Sequence, residues 1–176
     1  MRFHSLICAI EKGLRQQLGL LSVLSAEQYS APAQSYFKSS AGMHIRHNLD
    51  HFSAFFDGLA MGKIDYEGRE RDEEVEQVPT VAMDLIEKCI NLLDLLRKKE
   101  TDTSLNIREE SESNTDAKVL LLSSVGRELQ FLLGHTVHHN ALIAMIVHSQ
   151  GISLPAGFGV APSTQRHAAK TEKFKT

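Results

Sequence analysis

The sequence predicts an all-α fold: a four-helix bundle with long connections after its second and third helices and an irregular C-terminal tail. Three observations carry that reading. Four stretches repeat their apolar residues at three- and four-residue spacing, the period of an amphipathic helix. Polar or glycine-containing stretches bound each of them. The composition, 176 residues with 42% hydrophobic and 23% charged side chains, suits one globular domain and excludes wholesale disorder, collagen and a coiled-coil rod. Packing four such stripes together is how helices bury their apolar faces.

The first helix covers about residues 3–25, where Leu6, Ile10, Leu14, Leu18 and Leu21 form one stripe weakened slightly by Gly13 and Gly19. A turn-like stretch with Pro32 and the Ser39–Ser40 pair follows. The second helix, about 40–60, has the strongest period in the chain: Ile45, Leu49, Phe52, Phe56 and Leu59, ended by Gly58 and Gly62. Residues 62–77 are a charged connection, either a solvated loop or a lid that brings Asp65, Tyr66, Arg69, Arg71 and Asp72 to a site.

The third helix starts near Pro79, a residue suited to a first turn. Its face is Val81, Leu85, Ile86, Cys89, Leu92, Leu93 and Leu96, and it ends in Arg97, Lys98 and Lys99, where positive charge suits a helix C-terminus. Residues 100–116 are polar, with ESESNTD as a loop tip, and the flanking pieces SLNIRE and AKVLLLSS can pair as a small hairpin. The fourth helix runs from about 124 to 149, capped by Ser123 or Ser124 and closed by Gly151. The remainder reads as coil that frays in its last ten residues. Residues 1–160 thus make the bundle domain and 161–176 a partly flexible tail.

Charge and cysteine content narrow the function classes. Lys plus Arg number 19 and Asp plus Glu 22, a net charge of −3 that gives no support for binding nucleic acid or an anionic membrane. Cys8 and Cys89 are too few for a disulfide framework; Cys89 sits on an apolar face as inert core, and no basic neighbour in sequence marks Cys8 as a thiolate. No apolar run approaches the roughly 18 residues a membrane span needs. The opening MRFHSLICAIEKGL is broken by Glu11 and Lys12 and lacks a signal-peptide core, so a soluble cytoplasmic protein is expected.

The chain holds nine histidines and no tryptophan. His44, His47 and His51 cluster on the second helix, and His135, His138, His139 and His148 on the fourth. On a wheel of about 100° per residue, His135 and His139 lie about 40° apart, one turn from each other and on the apolar face. Two imidazoles at i and i+4 converge as metal chelators do, and burying them side by side is costly unless their nitrogens find partners. The second-helix histidines share a flank about 60° wide at the border of its apolar stripe. One of them would complete a three-histidine site, suited to Zn, Ni or Fe(II) and open to a further ligand. His138 falls to one side and His148 on the far side; His4 and His167 read as surface residues. Glu128 shares the direction of His135 two turns earlier, either solvated near the helix start or a partner for a ligand.

In AGMHIRHNLDHF and LLGHTVHHNALIAMI the chain resembles the DinB/YfiT family of metal-binding four-helix proteins. The resemblance covers the length, the layout and both motifs. It implies metal ligation by His47, His135 and His139, with His44, His51, His138 and Glu128 as supporting or alternative groups. Periodicity alone mildly favours His51 over His47. The resemblance also implies a divalent metal, often zinc or nickel, and a homodimer. Some relatives are metal-dependent transferases or isomerases that use low-molecular-weight thiols; others have no established activity. The sequence therefore leaves three readings. One is a metal-dependent small-molecule enzyme, a thiol-linked transferase or hydrolase-like protein with an open site. Another is a non-catalytic protein with a closed metal site that takes His44 or His51 as fourth ligand. The third is an interaction module whose histidines are merely packed.

Overall fold

The four predicted stripes become the four long helices of a computed structural model that describes residues 2–33, 38–68, 70–108 and 120–173. They are α1 (His4–Leu21), α3 (Ala41–Met61), α5 (Pro79–Leu96) and α6 (Val125–Ser149). Helix α1 packs on α5 and α6, and α3 packs on the same two, which closes the bundle. The core draws on the predicted stripes and on neighbours they did not include, Ile7, Phe55 and Leu129 among them, whereas the predicted Leu6, Leu18, Phe56, Leu59 and Leu85 are only partly buried against it. Ile7, Ile10 and Leu14 of α1, Ile45 and Phe52 of α3, Ile86 and Leu93 of α5, and Leu129 and Leu132 of α6 are all fully buried.

The helix ends follow local chemistry. The Ser40 hydroxyl accepts from the Met43 amide at the start of α3, and Gly62 closes that helix in the left-handed region at φ 66°. Pro79 occupies the first turn of α5. The Ser124 hydroxyl caps α6, and Gly151, at φ 78°, lies just beyond its end.

Two short helices went unread in the sequence. Helix α2 (Ala26–Ser30) is opened by a capping box in which Ser25 and Gln28 satisfy each other's backbone amides. Helix α4 (Glu73–Gln77) lies in the charged connection and is capped by Asp72. It docks through buried Val75, whose carbonyl accepts from the Tyr29 hydroxyl at 2.6 Å. The docking is close: a Cβ on Gly42 would lie 2.1 Å from the Glu76 carbonyl oxygen.

The predicted hairpin is present. Strand β2 (Ser104–Arg108) pairs antiparallel with β3 (Leu120–Ser124) in the register Ser104 with Ser124 through Arg108 with Leu120. A short β1 (Lys63–Ile64) joins β2 in parallel, giving the order β1-β2-β3. The sheet lies across one end of α3 and α6. The expected ESESNTD loop tip and Arg69 fall outside the described residues.

The tail corrects the prediction of irregular coil. Residues 162–173 form helix α7 (Pro162–Lys173). It has no apolar stripe, so periodicity carries no signal for it. Pro162 at its start and a run of Ala, Lys, Glu and Gln supply helix propensity instead. The preceding coil anchors through buried Phe158, and Gly159, at φ 67°, lets the backbone pass so close to α6 that a Cβ would meet Ala141 N at 2.7 Å. Among the described residues no helix is long and apolar enough to cross a membrane.

Candidate metal centre

Helices α3 and α6 cross so that both histidine windows face one another. His47, His135 and His139 each offer a ring nitrogen, and these atoms lie within 4.8 Å of one another. Their ring centroids stand 4.4 to 5.1 Å apart. The i, i+4 pair on α6 supplies two groups and a flank residue of α3 the third, as the motif resemblance implied. His51 is the more buried residue of the α3 window, 6% exposed. Periodicity had pointed to it on that ground, but it stands outside the three-residue group.

Burial keeps the centre neutral. His135 is pushed down to about 2, first by burial and then by repulsion from His51, His139 and His47. His139 is pushed down to about 3 by burial and then by His47 and His44. Neutral imidazole is the form that donates a lone pair to a metal. His135 Nε2 is buried and has no hydrogen-bond partner among the described residues. An orphaned buried acceptor flanked by two further imidazoles is a donor set that suits a transition-metal ion.

The surrounding histidines take distinct places. His44 Nδ1 lies 3.0 Å from His139 Nδ1, and its Nε2 lies 2.9 Å from the Ser39 hydroxyl. One of the two Nδ1 atoms carries the proton. If His139 carries it, its Nε2 is left for a ligand, and the chain Ser39–His44–His139 fixes the ring. Burial also lowers His44. His51 Nδ1–H donates to the His47 backbone carbonyl at 2.9 Å; its ring lies 4.0 Å from His135 and stacks on Tyr66. His138 is exposed, with its ring edge-on to His139. The sequence reading of His138 as a residue beside the site rather than in it agrees with that position. His148 and His4 are exposed, away from the centre.

The charged connection does cover the site, though with one side chain rather than the whole set expected of a lid. Tyr66 lies over His51 and Phe131, and its hydroxyl donates to Glu128 Oε2 at 2.8 Å. Burial and the Glu128 charge raise Tyr66, so it stays a neutral phenol. Glu128 corrects the expectation of a solvated group. It is 4% exposed, and Ser123 Oγ donates to its other oxygen at 2.5 Å. Tyr66 lies 62 residues away and the strand that brings Ser123 is short, so neither partner was visible in the sequence. Asp65 holds Arg108 at 2.9 Å. Asp72 caps α4, and Arg71 is exposed.

A cleft of about 470 Å³ opens beside His47, His51 and His135. Its far wall is Ile107, Leu121, Leu122 and Phe131, and Arg108 and Arg127 also line it. The cysteines lie elsewhere. Cys89 is buried core, its thiol pushed up to about 12 by burial. Cys8 is exposed and corrects the absence of a basic neighbour: Arg97 Nη1 donates to its sulfur at 3.1 Å from the end of α5.

No protein-family model matches the chain. Over 107 residues it is 32% identical to FK506-binding protein 5 of Rhizopus delemar, a match that covers 61% of this chain and 28% of that protein. The chain therefore spans little more than a quarter of the curated relative it matches. Its backbone resembles the crystal structure of YjoA, a DinB-like protein from Bacillus subtilis, at a TM-score of 0.63 and 17% identity, over 88% of this chain and 97% of that one. The fold is that of a DinB-like helical bundle, with three histidines brought together where α3 and α6 face each other.

Proposed function

We propose that the protein is a metal-dependent small-molecule enzyme in which His47, His135 and His139 hold one divalent ion and the chemistry is thiol-linked group transfer. The observation that carries this reading is the convergence of three ring nitrogens within 4.8 Å, with buried His135 Nε2 lacking a hydrogen-bond partner among the described residues. The donor set suits Zn, Ni or Fe(II), and three protein ligands leave positions for an exogenous one. When bound, such an ion lowers the pKa of a thiol or water and so supplies a nucleophile at neutral pH.

The chain's own groups account for the rest. His44 stands where it can accept the Nδ1 proton of His139 and so orient that ring. His51, with its Nδ1–H committed to the His47 carbonyl, walls the cleft beside His135. Tyr66, held by its hydrogen bond to Glu128, forms part of the cleft wall beside His51. An open site is favoured over a four-histidine closed one because the ring nitrogens that converge are those of His47, His135 and His139, without His44 or His51.

Elemental mass spectrometry on protein purified without chelator tests the site. About one equivalent of transition metal per chain is expected, with most of it lost in His47→Ala, His135→Ala and His139→Ala. Full retention in all three variants would overturn the assignment. Azide added to the cobalt-substituted protein should perturb the visible spectrum if the site is open; an unchanged spectrum supports a closed, non-catalytic site. Conjugation of low-molecular-weight thiols to small electrophiles, dependent on the metal and on His135, is the activity expected.

A further inference from the structure

We infer that the cleft beside His47 and His135 takes an amphipathic monoanion, a small molecule with an apolar body and a carboxylate that Arg127 binds. The inference rests on reading that cleft as the substrate side of the histidine site. Its volume of about 470 Å³ is that of a small-ligand pocket.

The apolar half of the argument is a wall with no other evident use. Leu121 and Leu122 of β3 are 50% and 87% exposed. Both line the cleft with Ile107 and Phe131, and Leu121, opposite Ile107 in the ladder, turns its side chain to the same face of the sheet as that residue and Ser123. A contiguous exposed apolar surface lining a groove marks a binding face rather than ordinary surface.

The charged half rests on the contrast between two arginines. Arg108 is committed: Asp65 lies 2.9 Å and Glu67 3.2 Å from its guanidinium. Arg127 is mostly exposed, and among the described residues its guanidinium has one ion pair, a long one of 3.7 Å to Glu128. Its guanidinium carbon lies 6.0 Å from the centre of the Phe131 ring, at the end of the apolar wall. Tyr66 and Ser123 already donate to both Glu128 oxygens. Arg127 thus keeps most of its planar donor fork, and that fork matches a carboxylate in two parallel hydrogen bonds. The larger cavity across α3, of about 720 Å³, has the opposite character. Five carboxylates and two lysines line it, whereas two arginines balance Glu67 and Glu128 in the cleft, so an anion meets less repulsion in the cleft than in that cavity.

The test is calorimetric titration of the metal-free protein, in chelator, with decanoate and its neutral isostere decanamide. Arg127 and Leu121 are exposed, so Arg127→Gln and Leu121→Ser leave the core untouched. Decanoate is expected to bind at one site, with affinity about 10-fold lower in Arg127→Gln. Decanamide should bind more weakly than decanoate and equally in wild type and Arg127→Gln. Leu121→Ser should weaken both ligands. Equal decanoate affinity in Arg127→Gln, decanamide matching decanoate in wild type, or no saturable binding at millimolar ligand would each overturn the inference. So would sedimentation with phosphatidylglycerol vesicles in place of free decanoate binding, which would assign the leucines to a lipid surface. Because no metal is present, a negative result leaves the histidine site standing. Arg127-dependent binding alongside a failure to load metal would strike only the proposed function.

Discussion

His44 separates orienting a ligand from being one. Its Nδ1 stands 3.0 Å from that of His139 and its Nε2 2.9 Å from Ser39, so it can fix a ring without holding an ion. Removing such a partner typically weakens metal binding by about 10–100-fold, whereas removing a ligand abolishes it. His44→Ala is therefore expected to bind zinc about 10–100-fold more weakly in competition with a chromophoric chelator, and His139→Ala not at all; equal loss in the two variants would make His44 a ligand. The two cysteines differ as sharply. Cys89, buried and pushed up to about 12, should resist iodoacetamide until the protein unfolds, while exposed Cys8 reacts in the native state. Peptide mass spectrometry after timed labelling checks this, and native labelling of Cys89 at the rate of Cys8 would contradict the packing of α5. The pair His135 and His139 was legible in the sequence because i, i+4 spacing on a single helix is a local property; His47 came from the motif resemblance, where periodicity favoured His51. Cys8 was misread and Glu128 left open between two readings because their partners, Arg97 and Tyr66, come from distant elements.

At the scale of elements, each of the three clustered histidines is followed by a buried polar residue turned about 100° from it around the helix. Asn48, Thr136 and Asn140 follow His47, His135 and His139 and are at most 1% exposed. Thr136 Oγ1 donates to Asn48 Oδ1 at 3.2 Å, which ties α6 to α3. Gln17 Nε2 donates to Asn140 Oδ1 at 2.7 Å and Asn140 Nδ2 to the Gly13 carbonyl at 3.0 Å, which ties α6 to α1. These bonds fix the rotation and sliding of α6 directly behind the imidazoles, where an apolar interface would allow slippage. Thr136→Val keeps the volume and the methyl group that packs at Gly13 but strips Asn48 of a donor. A loss of about 1–3 kcal/mol in urea unfolding is expected, together with weaker zinc binding; unchanged zinc affinity would reduce the belt to a packing device. Gly58→Ala should act on the other side of α3. Its Cβ would meet the Lys63 carbonyl at 2.5 Å, push β1 away and lift Tyr66, at a cost of about 1–3 kcal/mol. The four long helices were legible because each carries a continuous apolar period. Helices α2, α4 and α7 were not, because caps, close backbone contacts and propensity specify them with no stripe at all. The hairpin was legible as two short apolar pieces, but its position over the site depends on a parallel pairing with β1 that spans only two residues.

For the molecule as a whole, acid stability and metal binding are two readings of the same protons. His135 at about 2, His139 at about 3 and the lowered His44 all lie below the ordinary histidine value of 6.5. Between those values and 6.5 the unfolded chain holds protons that the folded chain excludes, so stability rises with pH across that window. The metal-free protein should be at full strength above pH 6.5 and weaken steadily as pH falls toward about 3, as urea midpoints taken at half-unit steps would show. Metal acts on the upper end of the same scale. An ion that binds only the folded, neutral imidazoles stabilises by about 2.7 kcal/mol at 100 times its dissociation constant, a rise in Tm of roughly 5–10 °C for a chain of this size. That rise should vanish on adding chelator and, because folded His135 and His139 stay neutral down to about 3, persist on their account below pH 6.5 until pH approaches that value. His135→Ala links the two measurements. It removes the largest depressed group and one ligand together, so it should flatten the acid slope of the metal-free protein and abolish the zinc-induced rise in Tm. A variant that lost the slope but kept the zinc response would leave His135 a buried core histidine. One that kept the slope but lost the zinc response would move the acid sensitivity to His139 and His44 while leaving His135 at the metal.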